Sequence, residues 1–114
     1  MPVHLDVSKS EDWRAAVEAA TERFGRIDVL VNNAGILRFS AIMECSDEAW
    51  EQVLGINIGG VFKGIRAVAP EMIKAGGGSI INISSTAGLK AFGGVPAYIS
   101  SKFGVRCLTK AARI

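Results

Sequence analysis

Tyr98 and Lys102 stand four residues apart, so a helix at this point would carry both side chains on one face. A phenol holds its proton up to a pKa near ~10, and a neighbouring ammonium favours the phenolate. The pair is a candidate proton donor and acceptor working nearer neutral pH. Any helix can carry a Tyr and a Lys at this spacing, so the pair decides nothing alone. Ser85 lies thirteen residues before Tyr98, at the end of a β-branched run. Asp6 and Asn33 also fall at the ends of short apolar runs. In open α/β sheets, ligands bind beyond the carboxyl ends of the strands. Each of these residues has a bland reading as a turn former. Their occurrence together, in this order, favours a site.

The elements that must hold them read as follows. Val3-His4-Leu5 has the character of a short strand. Ser8 and Glu11 have capping-box spacing and open a helix. Trp13, Val17, Ala20 and Phe24 form its apolar stripe, and Gly25 stops it. Ile27-Asp28-Val29-Leu30-Val31 is nearly continuously apolar, as in a parallel strand covered on both faces. Ser46 caps the next helix, which runs to about residue 75 and is expected to kink near Asn57. The spacing of Gly60 and Gly64 reads as close packing, with small residues letting another helix approach. Residues 79–84 form a third strand. A Gly-rich loop from Ser85 to Pro96 leads into a last helix, from about Ala97 and still running at Ile114. Strand and helix alternate throughout, which predicts an α/β fold with a parallel sheet wrapped by helices.

The composition agrees. The chain has 114 residues, enough for one small domain, with 49% hydrophobic and 21% charged residues. The net charge of +2 is too small and dispersed to suggest nucleic acid or an anionic membrane as partner. No apolar run is long enough for a transmembrane helix, and the start shows no signal peptide. Cys45 and Cys107 lie far apart and are expected to be buried free thiols in a reducing cytosol, which points to a cytoplasmic protein.

At this point the sequence resembles the classical short-chain dehydrogenases/reductases, over essentially its whole length. Leu5-Asp6-Val7 is similar to the family's Asp-Val motif, and Asn32-Asn33-Ala34-Gly35 is its NNAG motif unaltered. Asn57 matches the helix asparagine of the catalytic tetrad. The run 78–85 matches the strand that ends in the catalytic serine, here Ser85 by its offset from Tyr98. Tyr98-Ile99-Ser100-Ser101-Lys102 is the YxxxK motif.

The resemblance implies an NAD(P)-dependent oxidoreductase acting on a secondary alcohol or ketone, with NAD or NADP as cofactor. Tyr98 would move the proton. Lys102 would hold the nicotinamide ribose, and Ser85 would bind the substrate oxygen. Asn57 would bend its helix, its backbone carbonyl holding a proton-relaying water. Asp6 and Val7 would meet the adenine, and Asn33, Ala34 and Gly35 would floor the adenosine ribose. Tyr98 and Lys102 would serve the cofactor as well as catalysis. The residues 89–96 would line the substrate pocket, most like bacterial hydroxysteroid dehydrogenases and ketone reductases. The parent is expected to be a homodimer or homotetramer, paired through the helices over 46–75 and from 97 onward.

One part of the family pattern is missing: no glycines have the TGxxxGxG spacing that holds a pyrophosphate at a helix N-terminus. Residues 1–114 therefore read as the central portion of one doubly wound, Rossmann-like NAD(P)-binding domain. It would hold strands three, four and five and be incomplete at both ends. On this reading the chain by itself is inactive and binds no NADH. The alternative is a non-catalytic piece that only pairs with intact subunits. An extended-type relative, such as a sugar-nucleotide epimerase, shares YxxxK but fits the NNAG motif less well.

Overall fold

The computed structural model describes residues 1–113. Helix α1 spans Ser10–Phe24, strand β1 Val29–Asn32, helix α2 Asp47–Asn57, helix α3 Gly59–Lys74, strand β2 Ser79–Asn82 and helix α4 Pro96–Ala111. Short 3₁₀ turns at Ile42–Glu44 and Thr86–Gly88 interrupt the loops that follow the strands. Strands β1 and β2 pair in parallel, Val29 opposite Ser79 and Asn32 opposite Asn82. The parallel α/β arrangement expected from the alternation is present, as part of the Rossmann-like fold that the resemblance implies.

The residues explain the element ends. Gly25 stops α1 in the left-handed conformation, at φ 83°, where its N–H bonds the Thr21 carbonyl. Ser46 caps α2 by accepting the Ala49 N–H at 3.1 Å, with Asp47 and Glu48 in the first turn. The expected kink is a break: Ile58 alone leaves the helix, between α2 and α3. Pro70 sits inside α3 without ending it.

The core lies on one face of the sheet. Trp13 of α1 packs with Leu30, Val68 and Met72. Val61 and Ile65 of α3 pack with Val105 of α4, and Ile80 of β2 touches both clusters. The small-residue reading of α3 holds. A side chain at Gly60 would meet Val7, and one at Gly64 would stand 2.8 Å from the Trp13 ring.

Several expectations are corrected. Residues 3–5 form no strand, because a strand needs a partner ladder and the sheet of the described residues holds only β1 and β2. Ser8 does not build a capping box. Helix α1 starts one residue later, at Ser10 after Lys9, and the Ser8 hydroxyl donates to Asp6 at 2.6 Å. Asp12 does the reaching back, accepting the Asp6 N–H at 2.9 Å. Phe24 is outside the apolar stripe: it is exposed at the helix end, under the Arg23 guanidinium. Helix α4 ends at Ala111, where the Ala112 N–H turns to the Leu108 and Lys110 carbonyls; Ile114 lies outside the described residues. The cysteines are free but not buried. Cys107 is exposed because it lies across α4 from Ser101 and Val105, and Cys45 is half-buried.

The sheet is also not covered on both faces. Leu30 and Asn32 point into the helices, whereas Val29, Val31, Ile81 and Ile83 are 56%, 52%, 47% and 41% exposed on the other face. All the described helices that contact the sheet lie on its one side.

Candidate active site

Four separate segments meet beyond the carboxyl ends of the two strands. The loop after β1 brings Asn33, Ala34, Gly35 and Ile36, the helix break brings Asn57, the loop after β2 brings Ile83 to Ser85, and the first two turns of α4 bring Tyr98 to Lys102. Pro96 starts α4 at a position where its missing N–H costs nothing.

Lys102 is 5% exposed, and its ammonium donates to the Ile83 carbonyl at 3.1 Å. It stands 5.7 Å from the centroid of the Tyr98 ring, so the two side chains do share a face of α4. Among the described residues no carboxylate pairs with it. An ammonium has three donors, and a buried one ordinarily has an anionic or multiply accepting partner. The hydroxyl pair of a ribose is such an acceptor, so the residues present fit a nicotinamide ribose here. Gly35 faces the same place. A side chain there would lie 3.6 Å from the Lys102 ammonium and 3.5 Å from the Asn57 amide oxygen.

Asn57 is 1% exposed and its side chain is fully engaged. Its oxygen accepts the Ile36 N–H at 2.8 Å, and its nitrogen donates to the Ile36 carbonyl at 2.9 Å and to Ser101 at 3.1 Å. The amide thus pairs with Ile36 as a neighbouring strand would and holds the loop after β1 against the helix break. Ile58, the residue at the break, fills the space that a side chain at Gly104 of α4 would need.

The adjacent serines divide their work. Ser84 donates to the Lys102 carbonyl at 3.1 Å and so ties the loop to α4. Ser85 accepts the Ala87 N–H at 3.1 Å and caps the short turn that follows. Its own hydroxyl hydrogen is not used by that bond. Ala87 in that turn packs with Val95 and Ile99, and Tyr98 lies against the same cluster.

Two further hollows adjoin this centre. Val7, Asn33 and Ala34 line a cavity of about 130 Å³ together with Ile56 and Trp13. Asp6 does not line it. Its carboxylate accepts the Ser8 hydroxyl and N–H, and the hydroxyl bond is the chief cause that holds Asp6 below the ordinary aspartate range. On the other side, Ile42, Ala91, Phe92 and Pro96 line an apolar hollow of about 580 Å³. The Ser40 N–H donates to the Gly94 carbonyl at 2.9 Å and holds its two walls together.

The family model for the short chain dehydrogenases matches residues 1–114. The chain belongs to the short-chain dehydrogenase family. It is 52% identical over 108 residues to a trans-4-hydroxycyclohexanecarboxylate dehydrogenase of Sinomonas cyclohexanicum, covering 95% of this chain and 41% of that one. It is 48% identical over 112 residues to a 3-alpha-(or 20-beta)-hydroxysteroid dehydrogenase of Mycobacterium bovis, covering 98% and 43%. The crystal structure of the apo form of LigO from Sphingobium sp. strain SYK-6 superposes with a TM-score of 0.94 at 34% identity, covering 98% of this chain and 42% of LigO. The chain thus spans about two fifths of the length of these relatives. The likeness to bacterial hydroxysteroid dehydrogenases expected from its motifs is among them. No helix of the described residues is long and apolar enough to cross a membrane.

Reasoning from the sequence alone passes over two members of this centre. Ser101 joins Asn57 to α4, and Ile36 receives the Asn57 amide. Ser101 lies inside the YxxxK motif, but its type gives no hint of a partner 44 residues away.

Proposed function

We propose that the polypeptide carrying this sequence interconverts a secondary alcohol and its ketone with NAD or NADP, using Tyr98 as the acid–base group. The observation that carries the reading is the buried Lys102 ammonium beside the Tyr98 ring, facing Gly35 and without a carboxylate partner among the described residues. Bound nicotinamide supplies the hydride acceptor or donor.

This chain's residues do the rest. The free N–H donors of Lys102 take the ribose hydroxyls. In alcohol oxidation Tyr98 takes the hydroxyl proton; in ketone reduction it returns it. Ser85 donates its unused hydroxyl hydrogen to the substrate oxygen, held in place by the Ala87 N–H it accepts. Asn57, its side chain spent on Ile36 and Ser101, acts through its backbone carbonyl at the helix break, where water passes protons towards Lys102. Gly35 keeps the approach to Lys102 open. Val7, Asn33 and Ala34 border the adenosine side, and Asp6 meets the adenine with the carboxylate oxygen that Ser8 leaves free.

The two relatives are named for hydroxyl groups on ring compounds. The apolar hollow between Ile42 and Phe92 suits a ring of that kind. The test is direct. The full-length polypeptide is supplied with NAD or NADP and a panel of cyclic secondary alcohols, and reduced nicotinamide is followed by its fluorescence. Saturable production with at least one ring alcohol is expected. Binding of cofactor without turnover of any alcohol or ketone would contradict the reading.

A further inference from the structure

We infer that Ser101 is a positioning residue for Tyr98, acting as the link between the loop after β1, the helix break and the catalytic turn of α4. The inference rests on the reading of Tyr98 as the acid–base group.

Three serine or threonine hydroxyls on α4 bond back to their own helix, and one of them differs. Ser100 donates to the Pro96 carbonyl and Thr109 to the Val105 carbonyl, each four residues back. This is the ordinary local bond of a hydroxyl in a helix. Ser101 instead donates to the carbonyl of Tyr98 itself, three residues back, at 2.7 Å. Its oxygen also accepts the Asn57 side-chain N–H from α2 at 3.1 Å. Ser101 is 0% exposed and Asn57 1%.

The bonds form an unbroken chain. The Ile36 peptide holds the Asn57 amide at 2.8 and 2.9 Å, Asn57 holds Ser101, and Ser101 holds the Tyr98 backbone. No buried side-chain polar atom of the described residues is left without a partner. A fully satisfied buried network of this kind fixes geometry, because any displacement strands a donor where water cannot replace it. Gly35, next to Ile36, faces both Asn57 and Lys102. The chain of bonds therefore sets where the Tyr98–Lys102 turn sits relative to the surface that meets the nicotinamide ribose. Removing the Ser101 hydroxyl leaves one Asn57 N–H unpaired and frees the Tyr98 carbonyl from its cross-element tie.

The experiment compares wild type, Ser101→Ala, Asn57→Ala and the double variant in the full-length polypeptide, with nicotinamide cofactor and a ring alcohol. Alongside it, exchange of the Asn57 side-chain amide protons with solvent is followed by NMR in the unaltered protein. Ser101→Ala is expected to lower kcat roughly tenfold or more while KM for both substrates hardly moves, the mark of misplacement rather than lost binding. The double variant is expected to be no slower than Asn57→Ala alone, because both substitutions cut one chain. The Asn57 amide is expected to exchange slowly. An unchanged kcat with only a lowered Tm, or effects that multiply in the double variant, would overturn the inference. Turnover in a wild type whose Asn57 amide exchanges freely would overturn it as well, leaving the function intact. A wild type with a protected amide and no turnover would overturn the functional reading, and the positioning role with it.

Discussion

At the scale of single residues, three polar side chains of the candidate site are buried. Lys102, Asn57 and Ser101 are all enclosed, and each has a named partner. The motifs that carry Asn57, Ser85, Tyr98 and Lys102 were legible because each is short and local. Their partners were not, since Ile36 to Asn57 and Asn57 to Ser101 are joined across the fold. Asp6 is a local case: one of its carboxylate oxygens accepts both the N–H and the hydroxyl of Ser8, two residues on. A carboxyl lowered on folding adds stability above its ordinary pKa and loses it as pH falls through the lowered value. Ser8→Ala is therefore expected to raise the Asp6 titration midpoint, followed by carboxyl NMR. It should also destabilise the chain at neutral pH, by a difference that closes in acid. A variant whose Asp6 titrates as before would show that the hydroxyl bond is not the cause.

At the scale of elements, the helices are placed by residues that lack side chains. Gly64 lets the Trp13 ring lie against α3, and a methyl there would stand 2.6 Å from the Asn32 side-chain oxygen. Neither neighbour has room to retreat, as both are buried. Gly64→Ala is expected to destabilise the chain by about 1–3 kcal/mol, the usual cost of overpacking, despite the better helix propensity of alanine. Urea unfolding measures it, and an unchanged or raised midpoint would show that α1 and α3 can part freely. The helix break at Ile58 was foreseeable from the glycines around Asn57. The start of α1 was not, because the Ser8 N–H and hydroxyl turn back to Asp6 and Lys9, which offers no side-chain cap, stands at the helix start.

At the scale of the whole molecule, the alternation of elements was legible, but the layering was not. Continuous apolar strands announce a sheet buried on both faces, whereas Val29, Val31, Ile81 and Ile83 stand open on one. In a doubly wound fold that face lies under a second layer of helices. An apolar sheet face with unpaired strand edges invites association. The 114-residue chain alone is expected to associate in a concentration-dependent way in sedimentation velocity, and Val31→Lys with Ile81→Lys should suppress it. A wild-type chain that stays monomeric at every concentration would show that this face is covered in solution. The same scale sets the meaning of the comparisons. The chain spans 41% of one dehydrogenase and 43% of another.

The central claim is that the Tyr98 phenol, beside Lys102, transfers the proton. Replacing one oxygen atom tests it: Tyr98→Phe in the full-length polypeptide, with kcat and cofactor affinity measured on the same sample. The account predicts turnover lower by roughly 10²–10⁴-fold with cofactor affinity unchanged. Turnover kept near the wild-type rate by the phenylalanine variant would contradict it.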